Sequence, residues 1–167
     1  MARILWLHDM GDPRSRRSAV ESLETMLERH AQGHDVLVLD ARVSPRDLSS
    51  IRWDAVILGP TFLCNRYSQT RLANVERRFG WIAHSSACKI ALPQDDYDCS
   101  EILDEWLMRW GVDLCYSVLP EFADVLYPSF STTGEVKRAF TGYLDNRLIK
   151  MSGRAPMPDQ REIDIFY

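Results

Sequence analysis

The sequence has no apolar run near the ~20 residues that span a bilayer as a helix, no surplus of basic charge and no paired-cysteine spacing. Each absence excludes something. Without a long apolar run, no integral membrane segment is expected. Lys and Arg number 20 against 24 Asp and Glu, a net charge of −4. Dedicated duplex-DNA and RNA binders need a basic surface to neutralise phosphates, so nucleic acid is not an expected partner. Cys64, Cys88, Cys99 and Cys115 form no CxxC pair, and none stands at zinc-finger spacing from a histidine, so no metal centre is expected. Cys88 and Cys115 fall in apolar, strand-like runs and read as small buried hydrophobes. GxGxxG, GxxxxGK[ST] and GxSxG are all missing. The dinucleotide fingerprint, the Walker loop and the nucleophile elbow go with them. The opening MARILWLHDMGD lacks the length and cleavage site of a signal peptide, so a cytoplasmic location is expected, with peripheral attachment to an inner membrane left open.

What is present is a chain of 167 residues, 46% apolar and 26% charged, enough for one domain with a real core. Short apolar runs alternate with helix-period segments. Strands are expected at 3–8, 35–41, 54–60, 88–93, 113–119 and 136–143. Between them, Ser18 opens a helix with Glu21 in capping-box register and Val20, Leu23 and Leu27 on its apolar face. Leu72, Val75, Phe79 and Ile82 recur at helical spacing, with Gly80 near the end of that stretch. A further helix starts near Ser100 and buries Leu103, Trp106, Leu107 and Trp110, and a short one follows Pro120. Non-alternating apolar strands separated by helices indicate a parallel sheet covered on both faces. The expected fold is therefore α/β, a Rossmann-like parallel sheet of about six strands, occupying residues 1–149. Residues 150–162 hold one Gly and two Pro without apolar periodicity and read as a linker. Ile163 to Tyr167 then resemble a strand just beginning, and the natural chain is expected to continue.

Ligands of parallel α/β sheets sit outside the carboxyl ends of the strands. That rule nominates His8, Asp9, Met10 and Gly11 after strand one, and Thr61, Phe62, Asn65 and Arg66 after strand three. It adds Gln94 to Asp98 after strand four, and Gly142 and Tyr143 after strand six. Three Asp within four residues could bind a hydroxyl-rich ligand or hold a general base. Alternatively, Asp98 caps the next helix with Glu101 as its partner. His8 is either a core-edge residue or, oriented by Asp9, a group that meets substrate. Arg14, Arg16 and Arg17 either attract phosphate or form a solvated surface. A phospho-receiver domain would need an Asp ending strand three and a Lys ending strand five, where this chain has Gly59-Pro60 and Ser117-Val118.

One stretch is more specific than its composition. From Lys89 it reads KIALPQDDYDCSEILDEWLMRWGVDLCYSVLPE, followed by YP at 127–128, TGY at 141–143 and REIDIFY at the end. This resembles the N-terminal, acceptor-side half of bacterial GT-B glycosyltransferases, over essentially the whole chain and most clearly over 88–143. The opening RILWLHDM and the WDAVILGP strand are similar but less specific. The resemblance implies two Rossmann-like domains facing a cleft, with a C-terminal donor domain still to come after the linker. It implies transfer of a sugar from a nucleotide-sugar to an acceptor hydroxyl, with no metal or other cofactor required, and an inactive isolated half. It places Gln94, Asp95 and Tyr97 on the cleft side of strand four, and His8 and Asp9 after strand one; with the carboxyl-end rule, substrate contacts are expected from Asp9, Met10, Gly11, Thr61, Gln94, Asp96, Tyr97, Gly142 and Tyr143. Thr141, Gly142 and Tyr143 fall near the crossover between domains. Where such enzymes invert, a carboxylate or His deprotonates the acceptor: Asp95 is the first candidate base and His8 the second. Where they retain, positioning and leaving-phosphate stabilisation suffice. Two other readings stand beside this one: a stand-alone Rossmann-like or flavodoxin-like module binding a small ligand or protein, and a different small-molecule enzyme on the same sheet.

Overall fold

A computed structural model of the chain describes residues 1–43, 48–139, 150–151 and 160. Six parallel strands form one sheet: β1 (Arg3–His8), β2 (Asp35–Asp40), β3 (Ala55–Leu58), β4 (Cys88–Ala91), β5 (Leu114–Ser117) and β6 (Glu135–Arg138). Their spatial order is β2-β1-β3-β4-β5-β6. The chain steps to one side of β1 and then returns past it to build outward on the other. The reversal leaves a topological switch point between the carboxyl ends of β1 and β3.

The connections are α1 (Ser18–Glu24) and α2 (Met26–His30) between β1 and β2, then α3 (Pro60–Leu63) and α4 (Gln69–Phe79) between β3 and β4. After β4 come α5 (Ser100–Arg109) and, beyond β5, α6 (Ala123–Leu126). Side chains alternate along a strand. Leu5 and Leu7 of β1, Val56 and Leu58 of β3, Ala91 and Cys115 therefore share one face and join the main core. There α4 and α5 supply Val75, Phe79, Leu103, Trp106 and Leu107. Phe62 lies 5.7 Å from both Phe79 and Trp106 by ring centroid, and Trp106 meets Trp110 edge-on at 5.3 Å. Trp6 points to the opposite face, where it meets Glu24 of α1. Helices thus flank both faces, as the non-alternating apolar strands require. No helix among the described residues is long and apolar enough to cross a membrane.

Several local expectations are corrected. Ser18 is the first helical residue of α1, not its cap: Arg17 takes the cap position and no side chain caps the turn. Val20, Leu23 and Leu27 are only half-buried, and the residue α1 buries is Glu24. Asp98 does not cap α5 either. Cys99 holds that position in a left-handed conformation (φ 53°), and no side chain caps the turn. Pro60 begins α3 instead of closing β3, since proline is favoured in the first helical turn. Cys88 is exposed at the start of β4, while the next position, Lys89, is buried. The Lys89 Nζ donates to the carbonyls of Ala83 and Gly111 at 3.4 and 3.3 Å, which is how a lysine stem occupies a core-facing position. The strand expected over 136–143 is seen as Glu135–Arg138 and has ended by Ala139; residues 140–143, with Thr141, Gly142 and Tyr143, and the boundary at 149 lie outside the described residues.

Candidate functional site

The carboxyl ends of β1, β3 and β4 are tied together by one short turn, Cys64–Tyr67, which follows α3. Two adjacent, fully enclosed polar side chains in it face different ways. Asn65 fixes its own orientation by donating to the Phe62 carbonyl at 2.8 Å, and accepts from Arg71 Nε at 3.0 Å. Arg66 is 1% exposed; its guanidinium lies over the Tyr67 ring, donates to the Tyr67 hydroxyl at 2.5 Å and spends its other hydrogen bonds on backbone. It donates to the carbonyls of Gln94 (2.9 Å), Asp95 (2.8 Å), Asp98 (3.0 Å) and Leu63 (3.1 Å). A buried guanidinium aimed at four carbonyls holds the acidic loop in one shape.

Within that loop the Asp residues have separate fates. Asp95 is exposed, with a left-handed backbone (φ 50°), and the Tyr97 hydroxyl lies 3.5 Å from its Oδ1. Gln94 is half-buried beside it and Tyr97 is 60% exposed. Asp96 is fully enclosed: its Oδ2 accepts from Ser117 Oγ at 2.5 Å and from the Tyr127 hydroxyl at 2.8 Å. It locks the loop to β5 and to the Tyr-Pro segment, and is corrected from a substrate-facing position to a structural one. Burial, with Cys115 and Asp96 alongside, drives the Tyr127 hydroxyl far above its ordinary pKa, so it stays a donor; burial also pushes the Cys115 thiol up to about 12.

The β1 end is similarly divided. His8 is 5% exposed on the α1 side of the sheet, its Nδ1 3.9 Å from Asp40 Oδ2 and 3.4 Å from the Met10 amide. Desolvation lowers its pKa against the pull of Asp40. His8 is thus enclosed at the edge of the core. Asp9 turns the other way. Its amide donates to Thr61 Oγ1 at 2.8 Å, and its carboxylate pairs with Arg42 Nε and, at 3.1 Å, with Arg71 Nη2. Gly11 has φ 72°, a left-handed backbone that favours glycine, and the end of the Arg42 side chain lies over it. Met10 is half-buried between them.

Beneath Thr61 lies a residue the sequence reading missed. Glu24 is fully buried. Its Oε1 accepts from the Thr61 amide (2.7 Å) and hydroxyl (2.5 Å), and its Oε2 from Trp6 Nε1 (2.6 Å). Desolvation raises its pKa, opposed by these hydrogen bonds. Gly59 is obligatory here, because a Cβ would meet the Leu7 carbonyl at 2.7 Å and the Glu24 carboxylate. Arg42, Arg71 and Arg78 were missed as well. A signal for two of them exists: Arg71, Asn74 and Arg78 are spaced i, i+3, i+7 and share one face of α4. The arginines that were singled out do not converge: Arg14 pairs with Asp12, Arg16 donates to the Gly11 carbonyl and to Asp40, and Arg17 is exposed.

Fold and site together define a doubly wound α/β protein with a Rossmann-like all-parallel sheet and a polar, carboxyl-end crevice. No family model, curated protein or solved structure matches the chain.

Proposed function

We propose that the chain is the acceptor-side domain of a glycosyltransferase that moves a sugar from a nucleotide-sugar to an acceptor hydroxyl. The observation that carries the reading is Asp95. It is an exposed carboxylate at the carboxyl end of β4, in a left-handed conformation that non-glycine residues rarely adopt, with its carbonyl and its neighbours' clamped by buried Arg66. Strain maintained by a buried charge at a ligand-binding edge is characteristic of functional positions. The resemblance of KIALPQDDYD and the segments after it to the GT-B acceptor half supports the same reading.

In this mechanism Asp95 takes the acceptor's hydroxyl proton. The acceptor oxygen bonds to the donor's anomeric carbon as the bond from that carbon to the phosphate oxygen breaks, and the nucleoside diphosphate leaves with the electron pair. Tyr97 and Gln94 orient the acceptor, and Arg66 keeps the loop in register through the loop's backbone carbonyls. Donor contacts belong mainly to a partner domain.

The test assays the natural full-length protein with a panel of radiolabelled nucleotide-sugars. Transfer or donor hydrolysis is expected with at least one. Asp95→Asn should lower kcat by about 10²-fold or more, the range of general-base loss, with an unchanged melting temperature. No turnover of any donor, or a wild-type rate in Asp95→Asn, refutes the assignment. Sustained transfer by residues 1–167 alone would refute the two-domain account.

A further inference from the structure

Beside the acidic loop, and separated from it by the Cys64–Tyr67 turn, is a cavity of about 270 Å³ outside the carboxyl end of β1. Its walls include Asp9, Arg42, Asn65, Arg71, Asn74 and Arg78. Among the described residues these supply three guanidiniums and one carboxylate, in a chain whose net charge is −4. Such a local reversal of sign concentrates anions at the cavity mouth.

The guanidiniums are held before any ligand arrives. Arg71 is fixed by Asn65 Oδ1 and Asp9, and Arg42 by Asp9 over the Cβ-less Gly11. Arg78 Nη1 donates to the Ala41 carbonyl at 2.6 Å. Asp9 occupies Nε of Arg42 and Nη2 of Arg71, which leaves Arg42 Nη1 and Nη2 and Arg71 Nη1 without a hydrogen-bond partner among the described residues. Asn74 gives its Oδ1 to Arg77 Nη2 at 2.8 Å, so its amide NH₂ is a further donor. Arginine forks bind phosphate bidentately, and rigid forks lose little entropy in doing so.

We infer that this cavity binds the phosphoryl group of a small phosphate monoester. The Asp9 carboxylate balances one of the two charges on Arg42 and Arg71, and the Nη donors that it leaves open match the three acceptor oxygens of a phosphoryl group better than the two of a carboxylate. The volume, about 270 Å³, is just below the roughly 300–1,000 Å³ of small-ligand sites and suits a phosphorylated fragment of sugar-phosphate size. The site does not depend on Asp95 or on sugar transfer.

The experiment is calorimetric titration of the chain with inorganic phosphate, glucose 6-phosphate and acetate in parallel at low ionic strength, where surface charge is least screened. Saturable one-to-one binding of both phosphates is expected, the ester at least as tight as free phosphate, with acetate at least tenfold weaker. Arg71→Gln should weaken phosphate binding at least tenfold, and Arg71→Lys, which keeps the charge and loses the fork, should fall between. Amide resonances of Asn65 and Asn74 should shift on titration in the wild type, which locates the binding even if a variant folds poorly. Absence of saturable binding, acetate binding equal to phosphate, or full affinity in Arg71→Gln overturns the inference. Asp95→Asn should bind phosphate normally, so failure here and failure of the transferase reading give different results.

Discussion

Replacing Glu24 by Ala probes the joint between β1, α1 and the β3 loop. The side chain is wholly enclosed and accepts three hydrogen bonds, two of them from N–H groups: the fully buried Trp6 Nε1 and the part-buried Thr61 amide. Truncation leaves both unsatisfied, at about 1–3 kcal/mol each. Relief of the carboxylate's desolvation and the better helix propensity of Ala return part of that, which gives a net loss of roughly 2–5 kcal/mol. For a chain of this size the loss is a fall in Tm of about 4–20 °C. Glu24→Gln can satisfy Thr61 or Trp6 but must aim its NH₂ at the other donor, so it should lose about 1–3 kcal/mol. The assay is urea unfolding followed by tryptophan fluorescence, with unchanged m-value. A Glu24→Ala midpoint indistinguishable from wild type would refute the reasoning.

The same residue makes a pH prediction whose sign is fixed. Burial raises the Glu24 pKa above its ordinary 4.5. Between 4.5 and the raised value the folded state holds more protons than the unfolded one, so this group's contribution to stability falls as pH rises. The advantage of wild type over Glu24→Gln should be greatest below pH 4.5 and shrink as pH rises through the folded-state pKa. A difference profile flat in pH would show that the carboxylate is not desolvated.

Two further predictions concern the packing that carries the site. Trp106→Ala should cost about 3–5 kcal/mol through the cavity it opens; Trp106→Phe should cost much less, because the buried Trp106 Nε1 has no hydrogen-bond partner among the described residues to lose. Paired urea melts of the two variants check this, and equal losses would contradict it. Tyr127→Phe removes one of the two donors to Asp96 Oδ2 and should destabilise by about 1–3 kcal/mol. A loss below 0.5 kcal/mol, with flat signals from the 94–98 loop, would show that this loop is not anchored through Tyr127 (the threshold is about half the usual net hydrogen-bond value).

The parallel sheet and its order of elements were legible because they rest on local periodicity. Apolar runs such as RILWLH and DAVILG cannot be satisfied on one face only, and Val75, Phe79 and Ile82 or Leu103, Trp106 and Leu107 announce the helix faces that cover them. The general place of the site was legible too, since the carboxyl-end rule follows from strand direction. Caps were less so: Asp98 and Ser18 are good capping residues by type, yet Cys99 and Arg17 took those positions because the loops enter the helices at other angles.

Tertiary structure alone decided which polar residues face a ligand and which hold the frame. Asp95, Asp96 and Asp98 are chemically alike and nearly adjacent. Only the arrival of Ser117 and Tyr127 from β5 and the segment after it makes Asp96 a buried anchor, and only Arg66 beneath the loop leaves Asp95 outside. Glu24 and Arg42 gave no local signal at all, because a glutamate in a helix and an arginine in a turn are ordinary until Trp6, Thr61 and Asp9 are brought against them. Periodicity is written in near neighbours and survives in one dimension. The environment of a polar side chain is made by residues distant in sequence, and it exists only after the chain has closed on itself.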